Sequence, residues 1–406
     1  MYVNPALLFL LVWIMPLAIP HFIQIGIIQK VTLETQYLVV SNILIFFVLL
    51  TTIKVSLGDY KKNFANIIFA KINVVKIERR TLFLFRIWIL VYLINIIFSG
   101  GLPIYWVMSG DSRTYADFAL PTLGGLGNMI RAFVLSVCYV IYFHTESINK
   151  SKFLKIGLFL LASAFILETG RGNGVVLLLH AIAFFAFLNR VTWFGVAKVV
   201  SSLFVFMLFL GYIQMFRYGA GIESLAAYAE NSGFDNQDTI SLLLIPTLLY
   251  IVAPVINIDL NIAVSPLLEF EPYYSIQGLL PTILRQEFFS GEKDYGILIN
   301  EAHNVSSFYI PFIRDFGIIG AFIIVTFIQF IVCYVFVKAR RGSLFHFFIW
   351  PPIFMSVFLS FFALFFTSLV VLLYPVLVWF FVRGLQLEII IADPPAQLVG
   401  AGAPHA

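Results

Sequence analysis

The sequence predicts an all-α polytopic membrane protein, and three observations carry that class. Of 406 residues, 61% are hydrophobic and only 11% are charged, where a soluble domain is about 25% charged. The chain holds 45 Phe, more apolar surface than a soluble shell of this length can hide. The apolar residues also gather into runs that approach the roughly 20 residues, with about 17 tolerable, of a bilayer-crossing helix. These facts exclude a globular soluble enzyme, a disordered chain and a nucleic-acid binder. Cys138 and Cys333 both lie inside apolar runs, and two cysteines make neither a disulfide framework nor a metal cluster.

Ten stretches qualify as spans: 6–28, 37–56, 82–99, 122–143, 153–168, 175–189, 199–216, 317–337, 345–366 and 368–383. With the ambiguous run described below, the chain holds roughly ten to twelve transmembrane helices. The first run has no basic leader and no small-residue cleavage site, so it reads as a retained span rather than a signal peptide. The runs 153–168 and 175–189 abut, and read as a helical hairpin closed by the turn ETGRGNG. The tail IADPPAQLVGAGAPHA (391–406) is rich in Ala, Pro and Gly. It reads as a disordered end or an expression remnant, outside a single polytopic domain over 1–390.

Lys and Arg favour cytoplasmic loops. Placing 57–81 inside and alternating from there puts 16 basic residues inside and seven outside, with Arg86 and Arg131 within spans. Both termini are then cytoplasmic. The organisation is lopsided, because residues 218–316 form one outer segment of 99 residues that carries 12 of the 21 acidic residues. Connections that long are functional or disordered as a rule. This one contains its own apolar run, SLLLIPTLLYIVAPVINI (241–258), interrupted by Pro246 and Pro254. A single crossing there would turn Lys338, Arg340 and Arg341 outward, against the charge bias. The favoured reading is therefore a re-entrant or surface-lying helix, with a return through 262–284 as the alternative.

The outer side concentrates the polar groups. In Glu168-Thr169-Gly170-Arg171-Gly172-Asn173-Gly174 the glycines permit a tight turn and leave amides bare at a helix start, where the dipole is positive. With Arg171 this makes a diphosphate cradle, against the plainer reading of an interhelical turn with a snorkelling arginine. In Asn300-Glu301-Ala302-His303-Asn304, His303 is the one histidine of the six in the long outer segment, and it has the titration range of a general base. Asn304 could donate to a sugar hydroxyl or orient the ring, and the plainer reading is a helix-capping loop. No second His or Cys stands at ligand spacing, so no metal is expected. Arg113, Arg217 beside Tyr218, Arg285 and Arg314 scatter through the outer loops. Each alone reads as a surface charge, and Arg314–Asp315 reads as structural. Together they supply the positive charge that an anionic substrate needs in an acidic loop. Arg86 and Arg131 must be paired, must snorkel, or must line a lipid-phosphate path. Outer Tyr and Trp fit an interfacial belt, and are equally suited to stacking on sugars.

These pieces resemble the bacterial oligosaccharide repeat-unit polymerases, the O-antigen polymerase (Wzy-type) group, over most of residues 80–370. The resemblance rests on SGGLPIY (99–105), TGRGNG (169–174), the long outer loop after the seventh span, and EAHNVSSFYIPFIRDFGIIG (301–320). The last is also similar to the His-Asn stretch of the O-antigen ligases. The resemblance implies a GT-C-like glycosyltransferase of the bacterial inner membrane with its active site on the periplasmic face. It implies undecaprenyl-diphosphate-linked oligosaccharides as substrates and no cofactor, nucleotide sugar or metal. A chain-length regulator and a flippase would be its protein partners. Under it, His303 takes the acceptor proton with Glu301 as the second candidate, and Arg171 with Arg217 and Arg285 meets the departing diphosphate. Arg113, Tyr218 and Asn304 complete the expected site. An O-antigen ligase, a lipid-linked oligosaccharide flippase and a non-catalytic scaffold remain the competing readings.

Overall fold

The computed structural model describes residues 3–22, 28–58, 72–113, 117–189, 222–231, 233–234, 238–288, 296–299 and 305–385. Every helix or strand of more than one residue among them is helical. In chain order the α-helices are α1 (Pro5–Phe22), α2 (Leu33–Leu57), α3 (Val74–Ser99), α4 (Pro103–Ser109), α5 (Leu123–His144), α6 (Lys150–Ala162) and α7 (Arg171–Leu188). They continue with α8 (Ile222–Asn231), α9 (Thr239–Val264), α10 (Thr282–Phe288), α11 (Tyr309–Arg340), α12 (Leu344–Phe358) and α13 (Leu369–Val382). Six helical stretches are long and apolar enough to cross a membrane, and α7, α12 and α13 are shorter apolar helices. The described residues are thus all-helical, and their apolar helices are those of a membrane-embedded protein.

Local chemistry explains where the helices begin and end. Asn73 caps α3 by accepting from the Lys76 amide, and Asp238 caps α9 by accepting from the Ile240 and Ser241 amides. The α3 cap lies well before residue 82, so Lys76, Arg79 and Arg80 sit on the first turns of a helix rather than in a loop. Buried hydroxyls and amides inside the helices bond back one turn, as Thr81 does to Ile77 and Ser136 to Ala132. That pattern keeps polar side chains satisfied without water.

Helix α5 is the centre of the bundle and packs against α3, α6, α7 and α13. Tertiary bonds define two ends. At one end Glu78 of α3 accepts from Ser147 and Asn149, and Arg80 donates to the carbonyl of Phe381 in α13. Arg340, at the close of α11, lies over the Phe187 ring at the close of α7. At the other end Ser99 and Asn95 of α3 accept from the amides of Ala119 and Leu120, and the Thr282 amide donates to Thr122.

Three spans differ from the expected ones. The run 241–258 forms part of one continuous helix of 26 residues, α9, with Pro246 and Pro254 inside it. It packs along α1, α2 and α11 and is long and apolar enough to cross a membrane, where the sequence favours a re-entrant or surface-lying piece. Its apolar face meets Ile28, Val31, Leu225 and Ala229 in a second core, which is partner surface that a window of sequence does not contain. The run 345–366 stops being helical at Phe358. There Ser360 is claimed by others: its carbonyl accepts from the Phe308 amide and its hydroxyl from Trp13 Nε1. The run 317–337 is extended to Tyr309 and broken at Gly317. The expected span 199–216 and the tail 391–406 lie outside the described residues.

The break in α11 has a precise cause. Gly317 sits at φ 70°, ψ −177°, a conformation essentially open only to glycine. The segment 266–271 docks there, with Glu269 and Glu271 amides donating to Phe316 and Asp315 carbonyls, and Ile318 and Ile319 amides donating to Pro266 and Leu267. A Cβ at Gly317 would stand 2.7 Å from the Pro266 carbonyl oxygen and 2.8 Å from Leu268 backbone atoms. Gly317→Ala should therefore cost at least about 1–3 kcal/mol from strain alone. A thermal unfolding comparison in detergent checks this, and an unchanged transition would contradict the assigned geometry.

Candidate functional site

The polar centre of the described structure is a buried ion pair between α5 and the end of the α6 hairpin. Arg131 Nη1 donates to Glu168 Oε1 at 2.6 Å and Nη2 to Oε2 at 2.9 Å, a bidentate fork. Both side chains are almost fully buried, with 1% and 6% of their surface exposed. Asn128 accepts a further bond from Nη2, Asn173 donates to Glu168 Oε2 at 3.2 Å, and Ser163 accepts from Nη1 at 3.3 Å.

The local sequence builds this cluster. After Ala162 the α6 helix widens into a π-turn over Ser163–Leu167, closed by the Glu168 amide donating to the Ser163 carbonyl. The extra residue in the turn is what swings Glu168 out of the helical register. The turn itself is shorter than ETGRGNG suggests. Arg171-Gly172-Asn173-Gly174 is already the first turn of α7, because Gly174 lets the Phe165 ring lie against the helix, where a Cβ would stand 2.3 Å from a ring carbon.

Above the pair lies a cavity of about 390 Å³. Its walls include Trp88, Tyr92 and Asn95 of α3, Phe118–Thr122 of the following loop, Asn128 of α5, Glu168, Asn173 of α7 and Thr282 of α10. Trp88 and Tyr92 stack with ring centroids 5.0 Å apart. The Tyr92 hydroxyl is buried without a hydrogen-bond partner. The non-glycine residues with positive φ among the described residues are Ala119, Thr122 and Thr169. The first two line this cavity and the third adjoins Glu168. Such strain costs about 1–3 kcal/mol each and gathers at functional sites. Glu168 is the one charged side chain among the described wall residues, and it is paired with Arg131.

The expected site residues fall into three groups. Arg171 opens α7, two residues before the cavity-lining Asn173, and its side chain lies outside the described residues. His303, Glu301, Asn304, Arg217 and Tyr218 also lie outside the described residues. The segment that holds the first three is anchored on both sides by one buried side chain. Asn257 of α9 accepts from the Ile299 amide at 2.8 Å and donates to the Val305 carbonyl at 2.9 Å. Arg285 stands on α10 one turn from Thr282, half-buried, with its Nε buried and without a partner.

Arg113 is already paired within its own loop. It forks onto Asp111 at 2.6 Å, donates to the Ser99 carbonyl at 2.7 Å and lies 4.4 Å over the Trp106 ring. Its hydrogen bonds hold the Asp111 carboxyl below the usual carboxylate range. Its donors close the loop 99–113 on itself. Asp315 is structural as expected, although through backbone rather than Arg314. It accepts from the Tyr274 and Ser275 amides and the Ser275 hydroxyl, while Arg314 lies 3.5 Å over the Tyr274 ring.

Sequence reasoning named Arg131 as a charge in need of a partner and missed Glu168 as that partner. The signal was present. Both residues fall at the same end of neighbouring helices, and Glu168 is the one acidic residue in the hairpin turn. No His/Cys/Asp/Glu cluster among the described residues is arranged to hold a metal. No family model matches the chain, and no curated protein or solved structure matches it.

Removing one member of a buried pair strands the other charge, at a cost of about 3–5 kcal/mol. Arg131→Met should lower stability by that order, and Arg131→Met/Glu168→Leu should lower it by less than Arg131→Met alone. Thermal unfolding of the single and double variants in detergent checks the coupling, and additive losses would contradict it.

Proposed function

We propose that the chain is a membrane glycosyltransferase that joins undecaprenyl-diphosphate-linked oligosaccharide units into a surface polysaccharide, O-antigen or capsule. The observation that carries the reading is the polar cavity at one end of an apolar bundle. Three sequence features converge on it: the hairpin turn 168–174, the loop that follows SGGLPIY, and α10 of the long segment 218–316. Arg80, bonded to Phe381, and Arg340, over Phe187, share the end of the bundle opposite the cavity with their neighbours Lys76, Arg79, Lys338 and Arg341, which argues that the cavity end faces outward from the bacterial inner membrane, with both termini cytoplasmic.

In the proposed reaction a hydroxyl of the acceptor unit attacks the anomeric carbon of the donor chain. The bond from that carbon to the diphosphate oxygen breaks, and undecaprenyl diphosphate leaves. His303 takes the hydroxyl proton, with Glu301 as its alternative, and Asn304 orients the hydroxyl or the imidazole. Arg171, Arg217 and Arg285 meet the charge that develops on the diphosphate, with Tyr218 alongside. Loss of one such preorganised donor costs about 10²–10³ in rate. Arg113, paired with Asp111 and the Ser99 carbonyl, stands at the edge of this set.

His303→Ala and Arg171→Ala should each abolish chain growth while the protein stays in the membrane at normal abundance. The check is the size profile of surface glycan in cells lacking the gene, restored with wild-type or variant protein. Glycan that stops at one repeat unit, still attached to its normal acceptor, supports the polymerase. Long chains retained on the lipid carrier would make the protein a ligase, and units trapped on the cytoplasmic side would make it a flippase.

A further inference from the structure

Of the two arginines within spans, Arg131 has its partner inside the protein and Arg86 has none among the described residues. Arg86 is exposed on α3. One turn to either side of it on the same face stand Phe83 and Leu90, each 60% exposed, and Leu93 and Ile97 continue that apolar face outward. A helix of 26 residues runs about 39 Å, longer than a hydrocarbon core of about 30 Å. Counting about 20 residues back from the end of the apolar run at Phe98 sets the other boundary near Arg79 and Arg80. Arg86 then lies about two turns inside that boundary, at a depth where an unpaired charge is costly. Helical side chains lean toward the helix N-terminus. For α3 that is the basic end, so Arg86 snorkels toward Arg79, which is exposed on the same face.

Helix α6 forms the other side of this surface. It begins at the same end as α3, where Ser147 and Asn149 donate to Glu78. Higher up, the Phe159 ring lies 6.3 Å from Phe85 and 5.9 Å from Trp88. Lys152, Lys155 and Phe159 fall on one stripe of α6, at i, i+3 and i+7. The stripe that meets α3 thus carries two exposed lysines below its aromatic contact. The seam between the helices is apolar at Phe85 and Phe159, and basic below them at Arg79, Arg86, Lys152 and Lys155. The nearby acids of the described chain are Glu78, whose two oxygens are engaged, and Glu146 in the loop before α6. Neither pairs with a cation among the described residues.

We propose that this seam binds an anionic phospholipid, with Arg86 as the deepest contact to its phosphate and an acyl chain along Phe85 and Phe159. A guanidinium takes a phosphate in a fork, and basic clefts between membrane helices hold anionic headgroups. A second copy of the chain supplies no matching acid. The exposed acid on the described spanning helices is Glu34, in the first turn of α2 rather than two turns inside a helix. The site lies at the end opposite the cavity and does not depend on the polymerase reading.

The test is native mass spectrometry of the full chain in an uncharged detergent. Phosphatidylglycerol and phosphatidylcholine with the same acyl chains are titrated in, with glycerol phosphate as the phosphate without chains. Phosphatidylglycerol should be retained over phosphatidylcholine. Arg86→Leu should weaken its retention about tenfold and Lys155→Leu about fivefold. Arg341→Leu, at the same end but beyond α11, should leave it unchanged. Phosphatidylglycerol should also raise the thermal transition of the wild type by mass action. Arg86→Leu should lose that rise while keeping the lipid-free transition, which a structural arginine would not do. Equal retention of the two lipids overturns the proposal, as does a preference that survives Arg86→Leu or falls equally in Arg341→Leu. Displacement by glycerol phosphate would make the seam a site for free phosphate, and a dimer that Arg86→Leu dissociates would make it a contact between copies. Either result overturns the lipid assignment.

Discussion

An arginine inside an apolar bundle has few ways to exist, and the Arg131–Glu168 pair shows how many elements one solution recruits. A charge at the centre of a membrane helix costs roughly 2.5–3.5 kcal/mol on insertion scales. Arg131 avoids that state only because Glu168 arrives with both carboxylate oxygens in fork geometry. For Glu168 to arrive, α6 must widen into a π-turn at Ser163. For the carboxylate to stay, α7 must begin early enough to bring Asn173 alongside. The cavity is the space that remains above this arrangement, so its shape depends on the pair.

The second constraint is backbone satisfaction. Non-helical backbone at membrane depth is tolerated only where protein buries it or water reaches it. Two non-helical pieces, 305–308 and 359–368, meet in the bundle and partly satisfy each other, through the Phe308 amide and the Ser360 carbonyl. Single polar side chains secure the ends of the irregular segments: Asn257 for Ile299 and Val305, and Asp315 for Tyr274 and Ser275. Asp259 does the same for the turn into α2, accepting from Thr32 and Thr35. A bundle held this way keeps its long segment 218–316 attached to the cavity rim through Thr282 and Thr122.

Composition and run length made the class of the molecule and most of its helices legible, because both report directly on solvation by lipid. The end of α12 at Phe358 was hidden, since it depends on Phe308 and Trp13, distant in sequence. The length of α9 was hidden for the same reason: its second core is assembled from Ile28, Val31 and α8. The cost of burying Arg131 could be read from one position, but the identity of its partner required knowing how two hairpins align. The pairing of Arg113 with Asp111 was hidden too, because a free arginine and one forked onto a carboxylate two residues earlier look alike in sequence.

The account turns on the cavity opening to the outer face of the membrane, opposite the Arg341 end. The direct measurement is labelling of single cysteines in intact cells with a membrane-impermeant maleimide. The two native cysteines, Cys138 and Cys333, are free and buried, so background is low. Ser112→Cys, exposed at the cavity end, should be labelled in intact cells, and Arg341→Cys, exposed at the opposite end, only after permeabilisation. Labelling of Arg341→Cys in intact cells with Ser112→Cys protected would invert the protein and contradict the account.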